Sequence, residues 1–250
     1  MLYQQTLEKL RALRLEGMAQ ALEEQRRQKN ITQLEFEERL GLLVERQWLW
    51  HENRGLARRI ANAQFKLPAT LEDINYRHPR GLKRAQIEQL QAAQWVAHHR
   101  SCIITGPTGI GKTYLGCALG HQACREGFSA RYYRSPKLFR ALQTAQADGS
   151  LVKLFKSLVR TRLLVIDDLG LEVANAKQYR DLLELIDDRT GQGATLVTSQ
   201  FPVDQWHDLI TDATVADALL DRLIHHAYRL ELDGKSMRDP QTPPSQPSDD

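Results

Sequence analysis

The sequence predicts an α/β protein in which a parallel sheet is flanked by helices, preceded by a small all-helical N-terminal domain. From residue 101 onwards, short apolar segments alternate with amphipathic ones, as is typical of a parallel sheet with helical crossovers. A glycine-rich loop directly follows the first apolar segment, where such folds bind phosphates. Residues 1–66 instead carry apolar residues at helical spacing with Glu, Gln and Arg between them.

The N-terminal region contains two helical series of apolar residues. The first is Leu7, Leu10, Leu15, Met18 and Leu22, and the second is Phe36, Leu40, Leu43, Leu56 and Ile60. Trp48 and Trp50 lie within the second series. Because large aromatic side chains are more often buried than not, we expect both in the core, with a partner interface as the alternative.

Composition divides the chain into three segments. Pro68 cannot continue a helix, so we place a helical N-terminal domain at residues 1–67 and the α/β domain at residues 68–238. Residues 239–250 are Asp, Gln, Thr, Ser and four prolines, a composition that cannot bury a core, so we expect a disordered tail. Within the α/β domain we predict strands at residues 101–105, 129–134, 163–166, 194–198 and 228–232, and helices at 83–97, 114–121, 136–147, 151–160, 177–190 and 215–227.

The glycine-rich loop fits the pattern G-x-x-x-x-G-K-[ST], which binds the phosphates of nucleoside triphosphates. Its glycines allow the backbone N–H groups to converge on an anion at the positive end of the following helix. Lys112 supplies a charge for the β- and γ-phosphates, and Thr113 offers a hydroxyl to Mg²⁺. The alternative is a glycine-rich turn that merely precedes a helix. The predicted ATP-binding residues are Gly106, Pro107, Thr108, Gly109, Ile110, Gly111, Lys112, Thr113 and Tyr114.

Polar side chains end two further predicted strands. Asp167 and Asp168 follow an apolar strand, at the edge where open α/β sheets bind ligands. We expect Asp167 to hold Mg²⁺ and Asp168 to orient or activate the attacking water. Gln200, with Ser199 as the alternative, ends the next strand, and in an additional-strand P-loop ATPase the polar residue at this position lies between the acids and the γ-phosphate. Outside this context, two acids at a strand end or a Ser-Gln pair would be ordinary turn chemistry.

Charge and composition limit which partners, cysteine chemistry and cellular location the protein can have. The net charge is +3, and residues 1–84 carry sixteen Lys and Arg against eleven Asp and Glu. This excess permits a polyanionic partner but fits a solvated helical surface equally well. Cys102, Cys117 and Cys124 show no C-x-x-C spacing, so we expect them to pack as small hydrophobic residues. No apolar run could span a bilayer and no signal-peptide pattern begins the chain, so we expect a cytoplasmic protein without a membrane partner.

Five segments together resemble one family, the IstB-type helper ATPases of bacterial insertion-sequence transposition. The Thr-Ser-Gln…Trp-His and Gly-x-Ser-x-Arg segments are far more specific than the phosphate loop, which many ATPases share. Broader relatives are the DnaC and DnaI helicase loaders, within the AAA+ class of P-loop NTPases. The resemblance covers about residues 1–238, and its main segments are 106–113, 166–170, 198–207, 216–223 and 234–238.

The resemblance implies an AAA+ core without a large helical lid, subunits that assemble on double-stranded DNA when ATP is bound, and the transposase of the same element as partner. Arg222 matches the arginine finger that reaches the ATP of a neighbouring subunit, and Arg238 matches the sensor arginine near the γ-phosphate. The alternative for Arg222 is a surface ion pair. We expect non-sequence-specific DNA contacts from the N-terminal domain and the second strand, the candidates being Arg54, Arg58, Arg59, Arg131, Arg134, Lys137 and Arg140.

Two other functions remain open at this point. A DnaC- or DnaI-like loader of a replicative helicase would have the same fold, and the neighbouring reading frame would distinguish it from a transposition helper. A small-molecule or nucleoside kinase shares the phosphate loop but fits less well. The paired acids, the Thr-Ser-Gln segment and Arg222 instead suit hydrolysis by water with an arginine supplied in trans.

Overall fold

The computed structural model of the protein describes residues 2–238, apart from the side chain of Thr32. The tail predicted to be disordered, residues 239–250, lies outside the described residues. The chain forms two compact units that divide between Arg58 and Arg59.

The N-terminal unit is helical, as expected. Helix α1 spans Leu2–Ala12, α2 spans Glu16–Arg27 and α3 spans Phe36–Ala63, with a short 3-10 turn at Ile31–Gln33 before α3. Helix α2 packs closely on α3 because Gly17 has no side chain: a Cβ there would lie 2.8 Å from the backbone of Gln47. The expectation that Trp48 lies in the core is wrong, since this side chain is 60% exposed.

The two units divide inside α3, whereas the sequence-based boundary lies after residue 67. The difference has a physical reason, because the end of this helix, from Arg59 on, and the residues after it belong to the second unit and pack within it. Arg59 Nε donates a hydrogen bond to the Cys124 carbonyl at 2.8 Å. The ring of Phe65 lies against Gly120, where it occupies the space that a Cβ would need.

The second unit is built on a parallel sheet in the order β2-β3-β4-β1-β5. All five predicted strands are present. They are β1 at Cys102–Thr105, β2 at Ala130–Arg134, β3 at Leu163–Leu169, β4 at Ala194–Ser199 and β5 at Tyr228–Glu231. The three central strands β3, β4 and β1 are buried along nearly their whole length, which explains their continuous apolar sequences.

Helices cover the sheet between the strands. The helix predicted over residues 83–97 is divided, because Ala93 takes a left-handed conformation with φ +50°. The expected burial of the three cysteines is confirmed. Within residues 2–238, no helix is both long and apolar enough to cross a membrane. The helices of this unit are α4 at Arg84–Gln91, α5 at Gln94–Ala97, α6 at Lys112–Arg125, α7 at Ser135–Ala147, α8 at Leu151–Arg160, α9 at Ala176–Arg189 and α10 at Ala213–Ile224.

Candidate nucleotide-binding site

The glycine-rich loop connects β1 to α6 and lines a cavity of about 480 Å³. Gly109 and Gly111 have φ values of +83° and +97°, which side chains rarely tolerate. Neither position has room for a side chain, since a Cβ on Gly109 would overlap the Ser236 hydroxyl and one on Gly111 would overlap a nitrogen of Arg80. Helix α6 begins at Lys112, so its free N–H groups and positive dipole end lie at the loop.

Lys112 is held against the loop that precedes it. Its Nζ donates hydrogen bonds to the carbonyls of Gly106 at 2.7 Å and Pro107 at 2.9 Å. Burial lowers the pKa of this ammonium, while the nearby carboxylates of Asp168 and Asp167 act in the opposite direction. The side chain is therefore a buried cation beside the converging backbone amides, as phosphate binding requires.

A bulge in β3 aims the two acids differently. Ile166 pairs with Val197 of β4, but the next pair is Leu169 with Ser199, so two residues of β3 oppose one of β4. Asp167 and Asp168 are those two residues, and Asp168 has φ +61°. Bulges commonly redirect side chains next to active sites.

Asp167 is fully buried and accepts hydrogen bonds from three hydroxyl groups. Thr113 Oγ1 lies 3.0 Å from its Oδ2, Tyr132 Oη lies 2.6 Å from Oδ2, and Thr198 Oγ1 lies 2.6 Å from Oδ1. Burial, followed by the hydrogen bond to Asp167, raises the pKa of Tyr132, which keeps this phenol a donor. The carboxylate is thus fixed in position beside the hydroxyl of the phosphate loop.

Asp168 lines the cavity itself. Its Oδ2 accepts from Arg134 Nε at 3.0 Å, its backbone N–H donates to Thr198 Oγ1 at 3.0 Å, and its carbonyl accepts from Ser135 Oγ at 2.8 Å. Arg134 was a candidate for DNA contact, but here it forms an ion pair inside the nucleotide site. The Thr198 hydroxyl contacts both acids and therefore fixes them relative to each other.

Of the two polar residues at the end of β4, Gln200 faces the phosphate loop. Thr108 Oγ1 donates to Gln200 Oε1 at 2.8 Å, and Gln200 lines the cavity with Asp168. Ser199 is fully buried and donates to the Leu169 carbonyl at 2.8 Å. The geometry therefore brings Gln200, and not Ser199, to the site.

The segment after β5 folds over the loop. Met237 N–H donates to the Gly109 carbonyl at 3.0 Å, and Arg238 lines the cavity beside it. Tyr114, at the start of α6, also lines the cavity.

Four further residues of the site escaped the sequence analysis: Tyr132, Ser135, Thr198 and Arg80. For Tyr132 and Thr198 the signal was indirect, since they are hydroxyl residues in strands that should otherwise be apolar where buried, and Thr198 also belongs to the Thr-Ser-Gln segment.

Arg222 does not line this cavity. It lies on α10 and lines a second cavity of about 440 Å³. Its Nε donates to Asp187 and its Nη1 to the Ala218 carbonyl at 2.9 Å. The residues that line this second cavity come just before β1, β4 and β5. Because the strands are parallel, the cavity lies at the edge of the sheet formed by their amino ends, opposite the edge that carries the phosphate loop.

The fold and the site define a P-loop nucleoside triphosphatase core, because a strand–loop–helix phosphate cradle meets two acids at the carboxyl edge of a parallel sheet. The family model described as "IstB-like ATP binding protein" matches residues 8–244, and the chain belongs to that family. A Sinorhizobium fredii protein, y4pL, is described as an ATP-binding protein of an insertion sequence. It is 45% identical over 238 residues, which cover 95% of this chain and 97% of that relative.

Solved structures agree on the class of fold. The match to the crystal structure of DnaI covers 66% of this chain and 91% of the DnaI chain, with a TM-score of 0.56 and 22% sequence identity. The match to AMPPCP-bound DnaA from Aquifex aeolicus covers 69% of this chain and 53% of the DnaA chain, with a TM-score of 0.57 and 18% sequence identity. The second unit therefore has the fold of an AAA+ core, and the chain belongs to a family of ATP-binding proteins.

Proposed function

We propose that this ATPase is a DNA-binding helper that assembles on double-stranded target DNA and recruits or stimulates the transposase of the same insertion sequence. The observation that carries the proposal is the match along nearly the whole chain to relatives described as ATP-binding proteins of insertion sequences. The proposed site of action is the cytoplasm, where ATP and DNA are both available.

In the proposed mechanism, the charged and polar residues around the phosphate loop have separate tasks. The loop amides and Lys112 bind the phosphates, and Asp168 orients and polarises the attacking water. Gln200, which accepts a hydrogen bond from Thr108, is proposed to contact the γ-phosphate, and Arg238, which lines the same cavity, to neutralise charge there. The ion pair with Arg134 keeps the Asp168 carboxylate in place.

Mg²⁺ is part of the proposed chemistry, and the residues present fit it. Thr113 and Asp167 bring a hydroxyl and a carboxylate within 3.0 Å of each other, and oxygen ligands of this kind are those that Mg²⁺ prefers. Mg²⁺ takes one or two protein ligands and completes its shell with phosphates and water. When bound, the ion would neutralise charge on the β- and γ-phosphates.

Assembly follows if Arg222 acts in trans. Arg222 lies at the opposite sheet edge from the phosphate loop and is only partly exposed, held by Asp187. A head-to-tail association would place this edge of one subunit on the nucleotide site of the next. ATP and association would then favour each other reciprocally.

DNA contact is proposed to be non-sequence-specific and dominated by phosphates. Several of the basic residues first considered already make contacts within the protein: Arg54 stacks on Trp50, Arg59 and Arg131 donate to carbonyls, and Arg134 pairs with Asp168. Helix α8 offers an additional basic face. Among the described residues no ion pair involves its charged members, which are Lys153, Lys156 and Arg160.

The helicase-loader alternative has support from the fold alone. The DnaI and DnaC structures share 22% and 20% identity with this chain. The relatives described as insertion-sequence proteins are more similar and cover more of the chain. We therefore favour the transposition helper.

Sedimentation velocity with a long DNA duplex tests the proposal. Large assemblies should form with ATP and DNA together, and small species should remain with ADP or without nucleotide. Raising the salt concentration should weaken DNA binding steeply. Equal sizes with and without ATP would contradict ATP-driven assembly, and preference for one short sequence would contradict phosphate-dominated binding.

A further inference from the structure

Arg80 is a buried cation at the nucleotide cavity. Its side chain is 2% exposed, yet it is among the residues that line the cavity with Lys112 and Arg238. Nη1 donates to the Ile110 carbonyl of the phosphate loop at 2.8 Å, and Nη2 donates to the Asn75 carbonyl at 3.1 Å. This arginine therefore joins the loop to the segment that precedes α4.

The charge of Arg80 has no acidic partner among residues 2–238. Its Nε is buried without a hydrogen-bond acceptor, and burial lowers the pKa of the guanidinium. Burying an uncompensated cation is costly, so such a group is retained where something negative comes to it. Beside the phosphate loop, the negative group to expect is a polyphosphate.

Arg189, the other buried arginine, provides a comparison within the same unit. It is 1% exposed and also lacks an acidic partner in the described chain, and burial lowers its pKa to about 10. Unlike Arg80, its Nε has an acceptor, Thr195 Oγ1 at 3.4 Å, and its terminal nitrogens donate to the carbonyls of Leu158, Thr161 and Ala194. Arg189 satisfies backbone groups at the far edge of the sheet, whereas the environment of Arg80 is incomplete.

Arg80 also contacts the segment that carries Arg238. Its Nη1 lies 3.2 Å from Met237 Sδ, and its carbonyl accepts from Asp233 N–H at 3.1 Å. Next to it, His78 Nε2 lies 2.9 Å from the Lys235 carbonyl. Residues 78–80 and 233–237 are thus joined side by side over the phosphate loop.

We propose that Arg80 is a second buried cation of the nucleotide site, compensated by the phosphates of ATP, and that it positions Arg238 by holding Met237 against the loop. The inference rests on the ATP site of this protein and does not depend on DNA or on a transposase. Loss of Arg80 should weaken ATP more than ADP, because ATP carries the additional charge and because Arg238 acts on the γ-phosphate side.

The test compares Arg80→Met with the wild type in titrations of ATP and ADP, each with Mg²⁺, by isothermal calorimetry. Arg80→Met should lose about tenfold or more in ATP affinity and a smaller factor in ADP affinity. One control accompanies it. Arg77→Met removes the same charge from an exposed position of the same segment. It should keep the wild-type ratio of ATP to ADP affinity.

If Arg80→Met does not fold, Arg80→Lys tests the proposed role of Arg80 instead. Lysine keeps the charge but cannot bind Ile110, Asn75 and Met237 together, so its ratio of ATP to ADP affinity should fall below that of the wild type. An unchanged ratio in the variant that folds would overturn the proposal. Wild-type protein that binds neither nucleotide would instead refute the ATP site itself, which separates the two failures.

Discussion

The two cavities of the α/β unit lie at opposite edges of the same sheet and have similar volumes, about 480 and 440 Å³. Both contain basic side chains, but their surroundings differ. In the first, Lys112 and Asp168 lie beside the glycine-rich loop, and Asp167 behind them is fixed by three hydroxyl groups. In the second, Arg222 is held by Asp187 on the side of a helix.

This difference teaches which parts of the reaction one subunit holds by itself. The first cavity is the one proposed to bind the nucleotide and to activate water. Arg222 is not among the residues that line it, so the proposed arginine finger would act on another copy of the chain. One edge of the sheet is thus proposed to bind ATP, and the other edge to complete the site of a neighbour.

The largest effect is expected at Lys112, in the first cavity. Lys112→Ala removes the buried ammonium from the phosphate loop, so ATP binding should weaken and turnover should fall to background. A coupled assay of phosphate release measures this. Lys177→Ala, at an exposed position of α9, is the matched control and should retain wild-type turnover. Normal turnover in Lys112→Ala protein would contradict the assignment of the loop.

Arg222 in the second cavity should give the next largest effect, with a different signature. Arg222→Ala should lower turnover about a thousandfold while ATP affinity stays near that of the wild type. Arg180→Ala, a control on the neighbouring helix α9, removes an exposed arginine and should leave turnover unchanged. If Arg222→Ala lost affinity and turnover equally, its role would lie in binding, and the distinction between the two edges would fail.

Asp168→Asn sharpens the account of the first cavity. The amide keeps the shape of the side chain but cannot act as a base, so turnover should fall about a hundredfold with ATP affinity retained. ATP-bound assemblies on DNA should then persist for longer than those of the wild type. Single-turnover kinetics separates the chemical step from product release, and an unchanged chemical step would exclude Asp168 as the group that activates water.

The smallest effect is expected at Tyr132, which acts through Asp167. Tyr132→Phe removes one of three hydroxyl donors to this carboxylate and leaves the ring in place. The Mg²⁺ concentration needed for half-maximal activity should rise about tenfold, since groups that orient a metal ligand typically contribute this much. Tyr133→Phe, on the next residue of β2, is the control. Equal Mg²⁺ dependence in both variants would show that the Tyr132 hydroxyl does not support a metal site.

The sequence predicts the groups that belong to local motifs and misses those that meet across the sheet. The phosphate loop, the paired acids and Gln200 follow from short patterns at strand ends. Tyr132 and Thr198 reach Asp167 from neighbouring strands, so their roles depend on the register and on the bulge in β3. Arg80 lies in an irregular polar segment, and only the folded chain brings it to the loop. Likewise, nothing in the helical pattern of residues 83–97 indicates the left-handed turn at Ala93.

The central claim is that the two edges of the sheet meet between subunits, and mixing two inactive variants tests it most directly. Lys112→Ala protein lacks a working phosphate loop but keeps Arg222, while Arg222→Ala protein has the reverse defect. In an equal mixture with DNA, some interfaces pair an intact loop with an intact Arg222. ATP hydrolysis should then rise clearly above that of either variant alone. A mixture no more active than its components, under conditions where sedimentation shows mixed assemblies, would contradict the claim.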